Sequence, residues 1–328
     1  MRPNRKTSLL LILASLILGV GALLWLSGRT AQPENQVTVV EDPTVFQGSD
    51  PDFEEPLSED VQVLTGRESV GFNARMDALR SLSRNLEGRD LQVVLDFIGV
   101  NKTKDCSPGQ WYGLQDSVLT ALRRQNRPPE GLTPALVALY RESGNVTLQD
   151  YAVQHMRSWY GDRGSFDKHE KDPVRQRLLL DALIDAGGRR DQSYCGTALM
   201  ALHSFDTSPV LATDELVKEQ MADHLVNLDS RILEAARESD TQKLCRISAL
   251  QLCAMRGIRE ILPVARVLAS DDAADINLRI SAIAVLGKMG SLTEDAAFLR
   301  RVQQRNRRLS FAAGPALERL GNTEPHGG

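Results

Sequence analysis

The four-residue phrase Arg-Ile-Ser-Ala stands at residues 246–249 and again at 279–282, a spacing of 33, and each copy runs on through apolar residues to a glycine, Gly257 or Gly290. Self-similarity at a fixed period constrains the fold more than any other feature of the chain. One short helical unit cannot bury its own apolar face and must pass that task to its neighbours, so the repetition predicts stacked units. A compact helical bundle shares the apolar periodicity but has no reason to repeat a phrase at an interval.

From about residue 61 the chain alternates apolar helical runs with short breaks at Gly, Pro and Asp, and no convincing period-2 strand is present. The fold class is all-α. One frame, apolar at i, i+4 and i+8, fits one helix per unit: Leu114/Val118/Leu122, Leu148/Ala152/Met156, Tyr194/Ala198/Leu202, Cys245/Ala249/Cys253, Leu278/Ala282/Leu286 and Leu309/Ala313/Leu317. Partner helices are predicted at 91–98, 133–141, 174–185, 214–228, 259–269 and 293–304. The steps between frames are 34, 46, 51, 33 and 31, and the two long ones predict extended loops or an extra helix near 229–237. Gly257, Gly290 and Gly321 each follow the last frame position by four, where glycine can take the left-handed conformation that ends a helix.

These residues resemble the HEAT repeats, antiparallel helix pairs stacked into a curved α-solenoid. The resemblance is best over residues 240–321, where 275–290, Asp-Ile-Asn-Leu-Arg-Ile-Ser-Ala-Ile-Ala-Val-Leu-Gly-Lys-Met-Gly, is similar to the second helix of such a repeat. It implies a solenoid over 61–322 and an Asp-to-Arg ladder between units, with Asp240 standing six residues before Arg246. That ladder is incomplete, because Gln115, Gln149 and Ser310 occupy the Arg position elsewhere.

The N-terminal part has another character. Residues 8–27 carry no charge and follow Arg2, Arg5 and Lys6. Twenty helical residues reach about 30 Å, the thickness of a bilayer core, and the basic flank favours a cytoplasmic N-terminus. The expected plan is a basic cytoplasmic tail at 1–7, a transmembrane signal anchor at 8–27, a disordered linker at 28–60, the solenoid at 61–322 and a disordered tail at 323–328. A cleaved signal peptide is the rival reading, disfavoured by the length of the apolar run and by Arg29 before Ala31. Residues 30–66 hold nine acids and no Lys or Arg, with Pro33, Pro43, Pro51 and Pro56, the composition of a solvated tether with a span on the order of 30 Å. The solenoid is then expected outside the membrane, with the bacterial periplasm as its compartment.

Beyond that tether the charge is nearly balanced within an overall −4, so there is no basic face for nucleic acid. His155, His169, His203, His224 and His326 are dispersed without zinc spacing, and no GxSxG elbow, P-loop or GxGxxG is present. No cofactor and no metal are expected. Among Cys106, Cys195, Cys245 and Cys253 there is no CxxC pair, and Cys245 and Cys253 share one helix too far apart to bond. The ordinary reading of these thiols is buried and apolar, although a Cys195–Cys245 bridge between successive frame helices is conceivable.

Arg123 and Arg157 stand at equivalent places 34 apart, as do Arg246 and Arg279 at 33, and each pair could form a row that grips carboxylates of a protein partner. Trp111-Tyr112 and Trp159-Tyr160 fit packing better than an interface. The Arg300, Arg301, Arg305, Arg307, Arg308 cluster reads as a solvated helix end. The expectation is therefore a membrane-anchored, non-catalytic scaffold for a protein partner, with two alternatives: an enzyme resembling the HEAT-like bilin lyases, or a structural spacer.

Overall fold

In the computed structural model the described residues are 56–66, 70–100, 106–127, 129–161, 173–209 and 211–322. The expected anchor at 8–27, most of the expected linker at 28–60 and the expected tail at 323–328 lie outside them. Among the described residues no helix is long and apolar enough to cross a membrane, and every regular element is helical.

Fifteen α-helices follow one another among the described residues. They are α1 (Glu59–Thr65), α2 (Phe72–Ser81), α3 (Gly88–Asp96), α4 (Pro108–Arg123), α5 (Leu132–Glu142), α6 (Val146–Gly161), α7 (Pro173–Ala186), α8 (Tyr194–Thr207), α9 (Glu215–Val226), α10 (Leu228–Arg237), α11 (Lys243–Arg256), α12 (Leu262–Ser270), α13 (Ile276–Met289), α14 (Leu292–Arg305) and α15 (Arg307–Asn322). Side chains start several of them. Ser107 and Gln110 form a reciprocal capping box at α4, whose first residue is Pro108. Asp214, Gln242, Asp275 and Asn306 accept backbone N–H groups at the first turns of α9, α11, α13 and α15, satisfying donors that an open helix end would leave unpaired.

Alternate helices form a row. α2 packs on α4, α4 on α6, α6 on α8, α8 on α11, α11 on α13 and α13 on α15. Their partners α1, α5, α7, α10, α12 and α14 fold back on α2, α6, α8, α11, α13 and α15. This is an all-α fold of mutually packed helix pairs, compatible with a helical repeat. The apolar frame is what the row buries: Leu114, Val118, Leu122, Ala152, Met156, Ala198, Leu202, Cys245, Ala249, Cys253, Ala282, Leu286 and Ala313 are all inaccessible to solvent. Fully burying one such leucine is worth roughly 2 kcal/mol, so the repeated frame accounts for the stacking.

Five details differ from the sequence expectation, the first being that α3, expected as the partner of α4, packs chiefly on α1. The partner of α11 is α10, not the 214–228 segment; that segment is α9, inserted between units and packed on α7, and it explains the long step of 51. In α15 the buried positions are Leu309, Ala313, Ala316 and Leu320, while Leu317 is only half-buried, because the face toward α14 and α13 turns slightly along the helix. Gly257 is left-handed (φ 73°, ψ 28°) as expected, whereas Gly290 is extended (φ −64°, ψ 179°) and Gly321 lies inside α15. What requires glycine at 290 is space: a Cβ there would run into the Leu286 carbonyl and Oδ2 of Asp295. Finally, one more helix pair, α1 and α2, precedes the first frame read in the sequence.

Candidate functional site

The four arginines singled out in the sequence fall into two kinds. Arg246 and Arg279 turn back on the helix before their own. Arg246 Nε donates to the Ala236 carbonyl at 3.0 Å and Nη2 to the Arg237 carbonyl at 3.3 Å, the end of α10. Arg279 Nη2 donates to the Ala269 carbonyl at 3.4 Å, the end of α12, and pairs with Asp272 at 2.7 Å. Asp240 does not take the ladder role for Arg246; the polar link between these two frame helices is Lys243 Nζ to Asp275 Oδ2 at 3.1 Å. Burial pushes the Asp275 carboxyl up, but Lys243 and the Asn277 and Leu278 N–H groups outweigh it and hold it below the usual range.

The same position does the same task along the row. Gln115 Nε2 donates to the Phe97 carbonyl at 3.1 Å, Gln149 Nε2 to Tyr140 at 2.9 Å, and Cys195 Sγ to Gly187 at 3.7 Å. At the start of the row Arg75, with no exposed surface, donates to the carbonyls of Leu64 at 2.6 Å and Gly66 at 2.9 Å. Each of these side chains satisfies carbonyls that the end of the preceding helix leaves open. Arg75 escaped the sequence reading, though Ala74-Arg75 followed by Ala78 repeats the spacing of Leu278-Arg279 and Ala282.

Arg123 and Arg157 point instead from one frame helix to the next. Arg123 Nη1 lies 3.3 Å from His155 Nδ1, and His155 Nε2 lies 3.0 Å from Asp116 Oδ1. A guanidinium only donates, so Nδ1 accepts and Nε2 carries the proton, an assignment made from the hydrogen bonds. Arg157, which is exposed, donates from Nε to Ser204 Oγ at 2.9 Å. The strip continues across α8 and α11, where Arg256 donates to Asp206 at 2.6 Å, contacts His203 Nδ1 at 3.1 Å and pairs with Asp229. Burial first, and then the Arg256 guanidinium, push His203 below its ordinary value against the pull of Asp206 and Asp229.

Within this strip Asp150 stands apart. Its carboxylate accepts from Thr197 Oγ1 at 2.6 Å and Gln154 Nε2 at 3.0 Å, with no ion pair among the described residues. Burial raises its pKa, and the two hydrogen bonds only partly offset this. A half-buried carboxylate held by neutral donors alone is a candidate site residue. The strip is therefore a line of hydrogen-bonding groups on α4, α6, α8 and α11, with Arg157 and Gln154 open to solvent and Asp150 held by neutral donors.

The remaining candidates belong to packing or to open surface. Trp111 and Trp159 are buried; Trp111 packs edge-on against Phe97 at 5.3 Å, and Trp159 Nε1 donates to Thr133 at 2.9 Å. Arg300, Arg301, Arg307 and Arg308 are exposed at the α14–α15 corner. Among the described residues no group of three or more His, Cys, Asp or Glu could hold a metal ion. A protein of helix pairs in file, carrying one polar strip, is the class that fold and site define. No family model, curated protein or solved structure matches the chain.

Proposed function

We propose that this is a membrane-anchored, extracytoplasmic HEAT-like repeat protein that holds a protein partner along the polar strip of its frame helices and performs no catalysis. The observation that carries the reading is Asp150 and Arg157, seven residues apart on one face of α6: a half-buried acid held by two neutral donors, and an exposed cation bonded to a hydroxyl. Arg123 extends that strip, whereas Arg246 and Arg279 contribute by holding the helix pairs in shape. The uncharged run at 8–27 supports the anchor, and the acidic, proline-containing linker supports a tethered domain in a periplasmic setting.

The test is cross-linking in native membranes from a photoreactive residue at position 154, in the intact chain and in Arg157→Glu, with circular dichroism confirming equal helix content. The expected result is one cross-linked protein in the first and its loss in the second. An identical product in both would remove the strip from the binding surface. The absence of any product, in a protein resistant to alkaline extraction, would favour the spacer reading, and covalent colour on an acceptor protein after incubation with a bilin would favour the lyase.

A further inference from the structure

The close approach of α8 to α11 is centred on two cysteines. Cys195 and Cys245, each 0% exposed, sit on these neighbouring, mutually packed frame helices within electrostatic reach of each other, and the Cys195 S–H points at the Gly187 carbonyl at 3.7 Å. Gly196, next to Cys195, makes the approach possible: a Cβ there would stand 3.1 Å from the Cys245 Cα and 2.6 Å from Ser248 Oγ.

The surroundings are cationic as well as close. Arg231, on α10, lies within electrostatic reach of Cys195 and donates Nη2 to the Ile184 carbonyl at 3.3 Å, while its buried Nη1 has no hydrogen-bond partner among the described residues. The neighbouring Cys195 and burial push the Cys245 thiol well above its ordinary value, and Arg190 pulls the other way. A guanidinium beside a thiol opposes that push without cancelling it. Burial, by contrast, protects the finished bond from reductants.

We propose that Cys195 and Cys245 form a redox pair that closes into a disulfide and staples two successive helix pairs together. The oxidant is a disulfide of the exchange class, an oxidase disulfide in an oxidising compartment or oxidised glutathione in a tube. The Cys195 thiolate attacks one oxidant sulfur and expels the other as a thiolate. Cys245 then gives up its proton, attacks the Cys195 sulfur of the mixed disulfide and expels the second oxidant thiolate. Two protein thiols lose two protons and two electrons, and the oxidant disulfide becomes two thiols. Cys253, on α11 with Cys245, takes no part: it stands eight residues further along the helix, about two turns from the place where Gly196 meets Cys245. The proposal is independent of the export reading, because the test supplies its own oxidant.

The intact chain, unfolded in detergent and refolded in oxidised and reduced glutathione so that burial does not bar access, is alkylated in denaturant and digested without reduction. Mass spectrometry is expected to find the Cys195 and Cys245 peptides joined, with Cys106 and Cys253 alkylated. Four alkylated cysteines, or a bridge through Cys106 or Cys253, would overturn the pairing. Protein refolded under reductant throughout should melt lower than the oxidised protein by on the order of 5 °C, and Cys245→Ala should melt alike under both conditions. A wild-type Tm indifferent to reduction would overturn the staple.

Discussion

A guanidinium without exposed surface, as at Arg75, persists because its donors meet carbonyls that would otherwise be orphaned at a helix end. Replacing it with Met keeps much of the volume and removes both bonds, leaving two buried acceptors unsatisfied. The expected cost is about 3 kcal/mol, read as a lower urea midpoint, whereas Arg157→Ala on the open surface should cost less than about 1 kcal/mol. Equal losses would mean that the carbonyl bonds contribute nothing particular. At the same scale, His203 links stability to pH. Its folded-state pKa lies below the unfolded one, so the unfolded chain takes up a proton first as the solution is acidified. That contribution is intact above the unfolded value and is lost as pH falls from about 7 through the unfolded histidine range. Denaturant midpoints at pH 7.5 and 5.5 should show a drop in wild type that is smaller in His203→Gln; parallel drops would exclude this residue as the source.

Between elements, distance is set by small residues. A Cβ on Gly287 of α13 would stand 2.5 Å from both Cα and Cβ of Ala316 in α15, whereas one on Gly113 of α4 would meet nothing within 4 Å. Gly287→Ala must therefore push two helices apart and is expected to cost about 2–3 kcal/mol, while Gly113→Ala should stabilise by about 0.5–1 kcal/mol through helix propensity alone. Thermal melts of the two variants would have opposite signs; matching signs would refute the close approach. The same contrast explains what the sequence could and could not reveal. The frame positions, Ala at their centres and the repeated phrase were legible because apolar period and small size are local properties. Gly290 was misread, since its role lies in the carboxylate of Asp295 brought to it from α14. The partner of α11 was misassigned although the apolar face of 228–237 (Leu228, Ile232, Ala235, Ala236) is the better defined of the two, because 214–228 is the longer run. Of the strip, Arg123 and Arg157 were visible through their spacing, but Asp150 and the His203–Arg256 cluster owe their character to burial and to neighbours on other helices.

At the scale of the whole molecule, a row in which each frame helix packs on the one before and the one after makes a particular demand on dynamics. In a bundle every helix shares one core and opens with it, so protection against hydrogen exchange is nearly uniform and tracks global unfolding. In a stack, stability is close to a sum of unit and interface terms, and an end unit has one interface where an interior unit has two. α2 stands at one end of the described row and α15 at the other, with α8 and α11 well inside it. Exchange monitored by mass spectrometry should therefore be slowest in peptides from α8 and α11, faster in α4 and α13, and fastest in α1–α2 and α15. Stapling at Cys195–Cys245 would steepen that gradient at its centre, so oxidised and reduced protein should differ most in α8 and α11 and least at the ends. A single protection level shared by all helices would return the chain to the bundle reading, and with it remove the reason for repeating one phrase at an interval of 33 residues.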